Sequence, residues 1–282
     1  MLLTLVAEAA GVLILLFTFT NVFYDIFHPT RSGSLSDFVG KAGSRLCRHS
    51  RLRPAVGPAA LVAVILCWVA LITVGFALIY FPLIPNELTA SGASGTAGER
   101  VLRSLAMSLG CLDTFQTFGV EARSGWLKLL VAIEGLIGIS MITASVSWLV
   151  LVYPALERTR FLAKKTFLLL RAMDASGVAD LSSGLLREMA DRVIQARIDL
   201  VLFPILFNFY AADRSQTLAL ALPHLEELAL RARDKPGEEL RLAAVGLEQA
   251  LDDFAQMLAD RVLSTKSRDT ATVFRDFAAR ED

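Results

Sequence analysis

Four apolar stretches of different lengths alternate with polar ones along the first half of the chain. Three of them are long: Leu2–Phe27, Ala59–Phe81 and Leu129–Tyr153. A membrane-crossing helix needs about 20 mostly apolar residues, so each of the three predicts a span. The fourth, "TAGERVLRSLAMSLG", reads as a helix of three to four turns and is too short to cross. Thr96 and Glu99 have the spacing of a capping box. Val101, Leu102, Leu105, Ala106 and Leu109 recur at helical intervals. After Pro154 the pattern becomes amphipathic and helical throughout. Leu185, Met189, Val193 and Leu200 mark one face, and Leu247, Leu251, Phe254 and Leu258 a heptad-like one. "RDKPGEE" predicts a turn, and the tail after Ser264 is polar enough to expect fraying. "VLFPILFNFY" is apolar but short and split by Pro204, which predicts a core or membrane-surface segment rather than a fourth span.

Composition agrees with a membrane protein. Of 282 residues 54% are hydrophobic, mean hydropathy is +0.53, and formal net charge is zero. No Lys or Arg precedes Arg31 and Glu8 interrupts the first run, so a retained anchor is expected rather than a cleaved signal. Basic residues set the orientation. Arg31, Lys41, Arg45, Arg48, Arg51 and Arg53 fill the first connection, and Arg158, Arg160, Lys164, Lys165 and Arg171 follow the third span. The longer second connection holds only Arg100, Arg103 and Arg123. The N-terminus and second connection are therefore expected outside, and the first connection and C-terminal half in the cytoplasm.

The fold expected is an all-α membrane protein: three transmembrane helices, one re-entrant pore helix and loop, and a C-terminal cytoplasmic helical bundle. Its divisions are 1–28 (first span), 29–57 (basic cytoplasmic linker), 58–154 (pore module) and 155–282 (cytoplasmic helical domain). Re-entry rests on the order span, short helix, irregular segment, span, because irregular backbone at membrane depth must be buried in protein or line water. A short amphipathic helix on the outer surface is the alternative.

Cys47, Cys67 and Cys111 are far apart, and His28, His49 and His224 are isolated, so no metal site or disulfide framework is indicated. Neither a phosphate-binding loop nor a nucleophile motif occurs. No catalytic residue, cofactor or nucleic-acid partner is expected; the lipid bilayer, other copies of the chain and a cytoplasmic protein are the partners to consider.

The stretch "SLGCLDTFQTFGVEARSGWLKLLVAIEGLIGISMITASVSWL" resembles the pore loop and inner helix of the tetrameric two-transmembrane-type potassium channels. It is most similar to a bacterial group of ion-channel-like proteins, whose pattern "NVFYDIFHPT", "FALIYFP" and "FPILFNFYAADRSQTLALALPHL" also resemble. The resemblance implies a homotetramer in the bacterial inner membrane, each chain giving one loop to a central axis. Asp25, His28 and Pro29 belong to that pattern, and a helix stop at His28–Pro29 is the simplest reading.

Aligned with a potassium filter, the loop supplies Thr114, Phe115, Gln116, Thr117, Phe118 and Gly119, then Val120. Potassium filters use the backbone carbonyls of T-V-G-Y-G loops. Here Thr117 stands at the first filter glycine and Val120 at the following aspartate. A side chain forced into left-handed backbone costs roughly 1–2 kcal/mol, or about 4–8 kcal/mol around four chains. The usual carbonyl ladder is thus not expected. The favoured expectation is an ion channel subunit passing monovalent cations with altered or weak potassium selectivity, lined by Thr114, Gln116 and Thr117, with Asp113 or Glu121 as a carboxylate ring. The alternative is a non-conducting scaffold or sensor whose cytoplasmic helices bind a partner.

Within the third span Glu134 needs protein or water beside it, because a carboxylate at the centre of a membrane helix costs about 2.5–3.5 kcal/mol. It is expected behind the pore loop, bonding loop backbone or Gln116, or near the outer mouth. Snorkelling outward is the alternative. The resemblance implies a gating hinge at Gly135 or Gly138; close helix packing is the other reading. Ile139, Thr143 and Ser147 fall on one stripe, suited to a wet cavity wall or to interhelical contacts.

Overall fold

In the computed structural model the described residues are 2–27, 36, 38–39, 53–84, 88–90, 96–113, 120–122, 124–176, 181–263, 265 and 267–280. They form eight α-helices. Two compact units are present: the described parts of Met1–Lys41 with Ala59–Val150, and those of Ala42–Pro58 with Leu151–Asp282.

The first unit contains α1 (Leu2–Phe27), α2 (Val56–Tyr80) from Ala59 onward, α3 (Ala97–Leu112) and the first part of α4 (Gly125–Ser176). Three of these, α1, α2 and α4, are long and apolar enough to cross a membrane. Thr96 caps α3 as its spacing predicts: its hydroxyl accepts from Glu99 N–H, and the Glu99 carboxylate accepts from Thr96 N–H. Leu61, Val64, Trp68, Ile72, Phe76 and Tyr80 form the buried stripe of α2. The buried stripe of α4 runs through Leu127, Glu134, Met141, Ser145 and Trp148, and the Trp68 and Trp148 rings meet at 5.4 Å. Helix α1 lies against α2 through two glycines. A Cβ on Gly11 would stand 2.5 Å from the Gly75 carbonyl oxygen, and one on Gly75 2.8 Å from Leu15. Small residues let membrane helices approach this closely, where lipid supplies no hydrophobic drive for association.

One short antiparallel pair was not foreseen. Strands β1 (Leu88–Ala90) and β2 (Val120–Ala122) join Leu88 to Ala122, Thr89 to Glu121 and Ala90 to Val120. Three residues are too few to establish a readable alternation, and β1 falls in a stretch whose composition predicts a loop.

The second unit is helical, as its periodicity predicts. Ser182 caps α5 (Ser183–Leu202) through Leu185 N–H. Helix α6 (Leu218–Arg233) and α7 (Glu238–Leu258) are joined by a turn in which Gly237 takes φ 124°, a left-handed value that suits glycine. Met189, Val193, Leu200, Leu247, Leu251, Phe254 and Leu258 are all buried in this unit; Leu185 is half-buried beside buried Leu186. The later part of α4 is tied to α5 by a bidentate pair, Arg158 donating to both oxygens of buried Asp199 at 2.8 Å, and by the Lys165–Glu188 ion pair. Pro204–Asn208 forms a 3₁₀ turn with Ile205 and Leu206 buried, so "VLFPILFNFY" belongs to this core.

The expected fraying of the tail is overturned. Thr270–Ala279 forms α8, capped by Asp269, with Val273, Phe274 and Phe277 buried. Its composition is polar because only one face is apolar; those three positions cover α6 and α7, and Phe274 meets Phe254 edge-on at 6.5 Å.

Candidate functional site

The short helix α3 divides its apolar residues between two sides. Val101, Leu102 and Leu109 are exposed, while Ser104, Met107, Ser108 and Cys111 face inward. Ser108 on the inward face is explained by what it meets. Glu134 is fully buried, and its two oxygens accept from Tyr80 Oη at 2.6 Å and Ser108 Oγ at 2.5 Å. One carboxyl group thus joins α2, α3 and α4, and the outward-snorkelling alternative does not apply.

Buried polar groups are costly unless bonded, and a charged one needs bonds in particular. Hydroxyls are suited to this site because each rotates its hydrogen toward the carboxylate. The loop residue expected as a partner, Gln116, lies outside the described residues. Tyr80 and Ser108 were missed because neither is unusual in its own segment. The available signal was the pairing of Ser104 and Ser108 one turn apart on a short helix otherwise rich in aliphatics.

Gly138 lies one turn beyond Glu134. A Cβ there would stand 2.1 Å from the carbonyl oxygen of Leu112, the last residue of α3. Close packing is therefore the role the geometry gives Gly138: it receives the C-terminal end of the short helix. Gly135 is half-buried. Asp113 ends α3 with an exposed side chain, its N–H donating to Leu109 carbonyl at 3.1 Å. Thr114, Phe115, Gln116, Thr117, Phe118 and Gly119 lie outside the described residues. Glu121 follows them in β2, opposite Thr89. The loop segment is thus flanked on one side by α3, seated on α4, and on the other by a strand pair.

Ile139, Thr143 and Ser147 are exposed along α4. The Thr143 and Ser147 hydroxyls donate to the carbonyls one turn back, Ile139 at 3.0 Å and Thr143 at 2.8 Å. Such back-bonding satisfies a hydroxyl on an apolar helix and leaves its lone pairs outward. Among the described residues no group of His, Cys, Asp and Glu is placed to hold a metal.

Comparison with protein-family models, curated proteins and solved structures finds no match to this chain.

Proposed function

We propose that the chain is a subunit of a potassium-channel-like pore, a homotetramer that passes monovalent cations with weak potassium selectivity. One observation carries the reading: a helix too short to span is fixed between two spans by Glu134, Tyr80 and Ser108, and its end rests against Gly138. That is the support a re-entrant loop needs, since the segment after it must hold its shape without regular secondary structure. The outward apolar face of α3 and the exposed stripe on α4 supply surfaces for neighbouring copies around an axis. The basic residues of the first connection and C-terminal half support a cytoplasmic second unit and a loop at the outer side of the bacterial inner membrane.

Weak selectivity follows from Thr117 and Val120, which replace residues a potassium filter uses. The same two positions favour a second reading, a pore-loop protein that no longer conducts and serves as a scaffold or sensor.

Purified protein in a planar bilayer, with potassium on one side and sodium on the other, tests both. A reversal potential near zero supports the proposal. A strongly potassium-selective potential rejects weak selectivity, and silence under all conditions supports the second reading. Native mass measurement decides the assembly: four copies agree with a pore, one or two do not.

A further inference from the structure

The small residues that bring α1 onto α2 continue past the contact of Gly11 with Gly75. Ala7 lies one turn before Gly11 on the same face of α1. There α3 begins, and the three helices do not close. They leave a groove of about 280 Å³, walled by Ala7 of α1, Ala77 and Leu78 of α2, Phe81 just beyond it, and Val101 and Leu105 of α3. All of these residues belong to the first unit.

The polar residue of the lining is Ser104, and its hydroxyl donates to the Val101 carbonyl at 2.9 Å. The walls thus offer aliphatic and aromatic surface and no charge. Such a space disfavours a polar metabolite and holds no ordered water. A cation stands beside it. The Arg100 guanidinium lies 5.6 Å from the centre of the Phe81 ring, which forms part of the wall. No ion pair holds Arg100 among the described residues. An arginine stacked on an aromatic ring keeps its charge and the donors along its edge.

We propose that the groove holds an acyl chain of a membrane phospholipid whose phosphate is bound by Arg100. The two parts of the site match the two parts of such a molecule: an apolar trough for the chain and a guanidinium, suited to phosphate oxygens, at its side. Leu78 and Phe81 are at the end of a candidate span, and Ala7 is near the start of another, so the trough lies toward one face of the bilayer. Glu8 follows Ala7 on α1. Recognition is therefore expected of the phosphate itself rather than of net negative charge. The inference rests on α1, α2 and α4 being spans and not on conduction, so a silent chain leaves it standing.

The test is native mass measurement of the full chain, freed of lipid in detergent. It is titrated with dioleoylphosphatidylglycerol, dioleoylphosphatidylethanolamine or dioleoylglycerol, which has the same chains without the phosphate. Saturable retention of one phospholipid per chain is expected for both headgroups, with dioleoylglycerol about tenfold weaker. Arg100→Gln should lower phospholipid affinity by about tenfold and leave dioleoylglycerol unchanged. Ala7→Phe, which fills the trough, should reduce retention of all three. If that variant does not fold, Val101→Trp at an exposed position of the wall takes its place. Equal retention of the three lipids that Arg100→Gln does not alter overturns the proposal, as does retention that never saturates. So does binding by single chains that disappears on assembly, which would assign the groove to another copy. None of these failures bears on cation passage, which is read from the bilayer recordings.

Discussion

Tyr80 Oη donates to Glu134 Oε2 at 2.6 Å, from the last residue of α2 to the first third of α4. The bond links residues 54 positions apart, and the Ser108 bond to the other oxygen links residues 26 apart. The short helix is held by these bonds, by the seat at Gly138 and by the buried side chains of Met107 and Leu112.

Removing one donor should therefore weaken the first unit without unfolding the second. Tyr80→Phe and Ser108→Ala each leave the buried carboxyl short of a partner, at a cost of about 1–3 kcal/mol. Because both act on one carboxyl, the double variant should depart from additivity. Differential unfolding of the full chain in detergent measures it; additive, negligible effects would mean that Glu134 does not organise the site.

Gly138→Ala and Gly246→Ala should have opposite signs. The first puts a Cβ 2.1 Å from backbone at Leu112, which a side-chain rotation cannot relieve. Overpacking of this kind costs about 1–3 kcal/mol or more. The second, exposed within α7, meets nothing within 4 Å. It should gain about 0.5–1 kcal/mol from helix propensity. A hinge role for Gly138 predicts instead a folded Gly138→Ala whose opening kinetics alone change, and channel recordings beside unfolding midpoints separate the two.

Phe274→Ala should destabilise the second unit by about 3–5 kcal/mol, the usual cost of emptying a fully buried aromatic position. Ending the chain at Leu263 should do at least as much, since Val273, Phe274 and Phe277 leave together. A truncated chain with an unchanged unfolding midpoint would show that α8 is not part of that core.

Asp213 gives the second unit an acid-sensitive contact. Hydrogen bonds from the Ser215 hydroxyl and N–H, then the Lys164 ammonium, hold its carboxyl at about 2, below the ordinary carboxylate range. A folded value below the unfolded one means stability that is complete above about pH 4 and is lost as pH falls toward 2. The contact is exposed, so the effect is modest. Asp213→Asn should flatten that part of the curve of midpoint against pH, most clearly at low salt. A curve identical to wild type between pH 4.5 and about 2.5 would remove Asp213 from the acid response.

Much of the architecture was legible in the chain because it depends on local sums. Three runs exceed the length a bilayer requires, Thr96 and Glu99 are three residues apart, and the stripe from Leu247 to Leu258 repeats on one helix. Each can be read inside a window of a few turns. The tail was misread for a related reason. Averaged over the segment it is polar, and only its pairing with Phe254 and α6 makes three apolar residues sufficient for a helix.

Sequence alone determined that this chain has three candidate spans, a capped short helix between the last two, and a helical second half. Hydropathy and capping are properties of neighbouring residues, so they survive without a fold. Only the tertiary structure decided which face of the short helix is inward, that Tyr80 and Ser108 hold Glu134, and that Gly138 receives Leu112. Those choices depend on how well groups distant in the chain satisfy one buried carboxyl and one close backbone approach. No window along the sequence contains both partners.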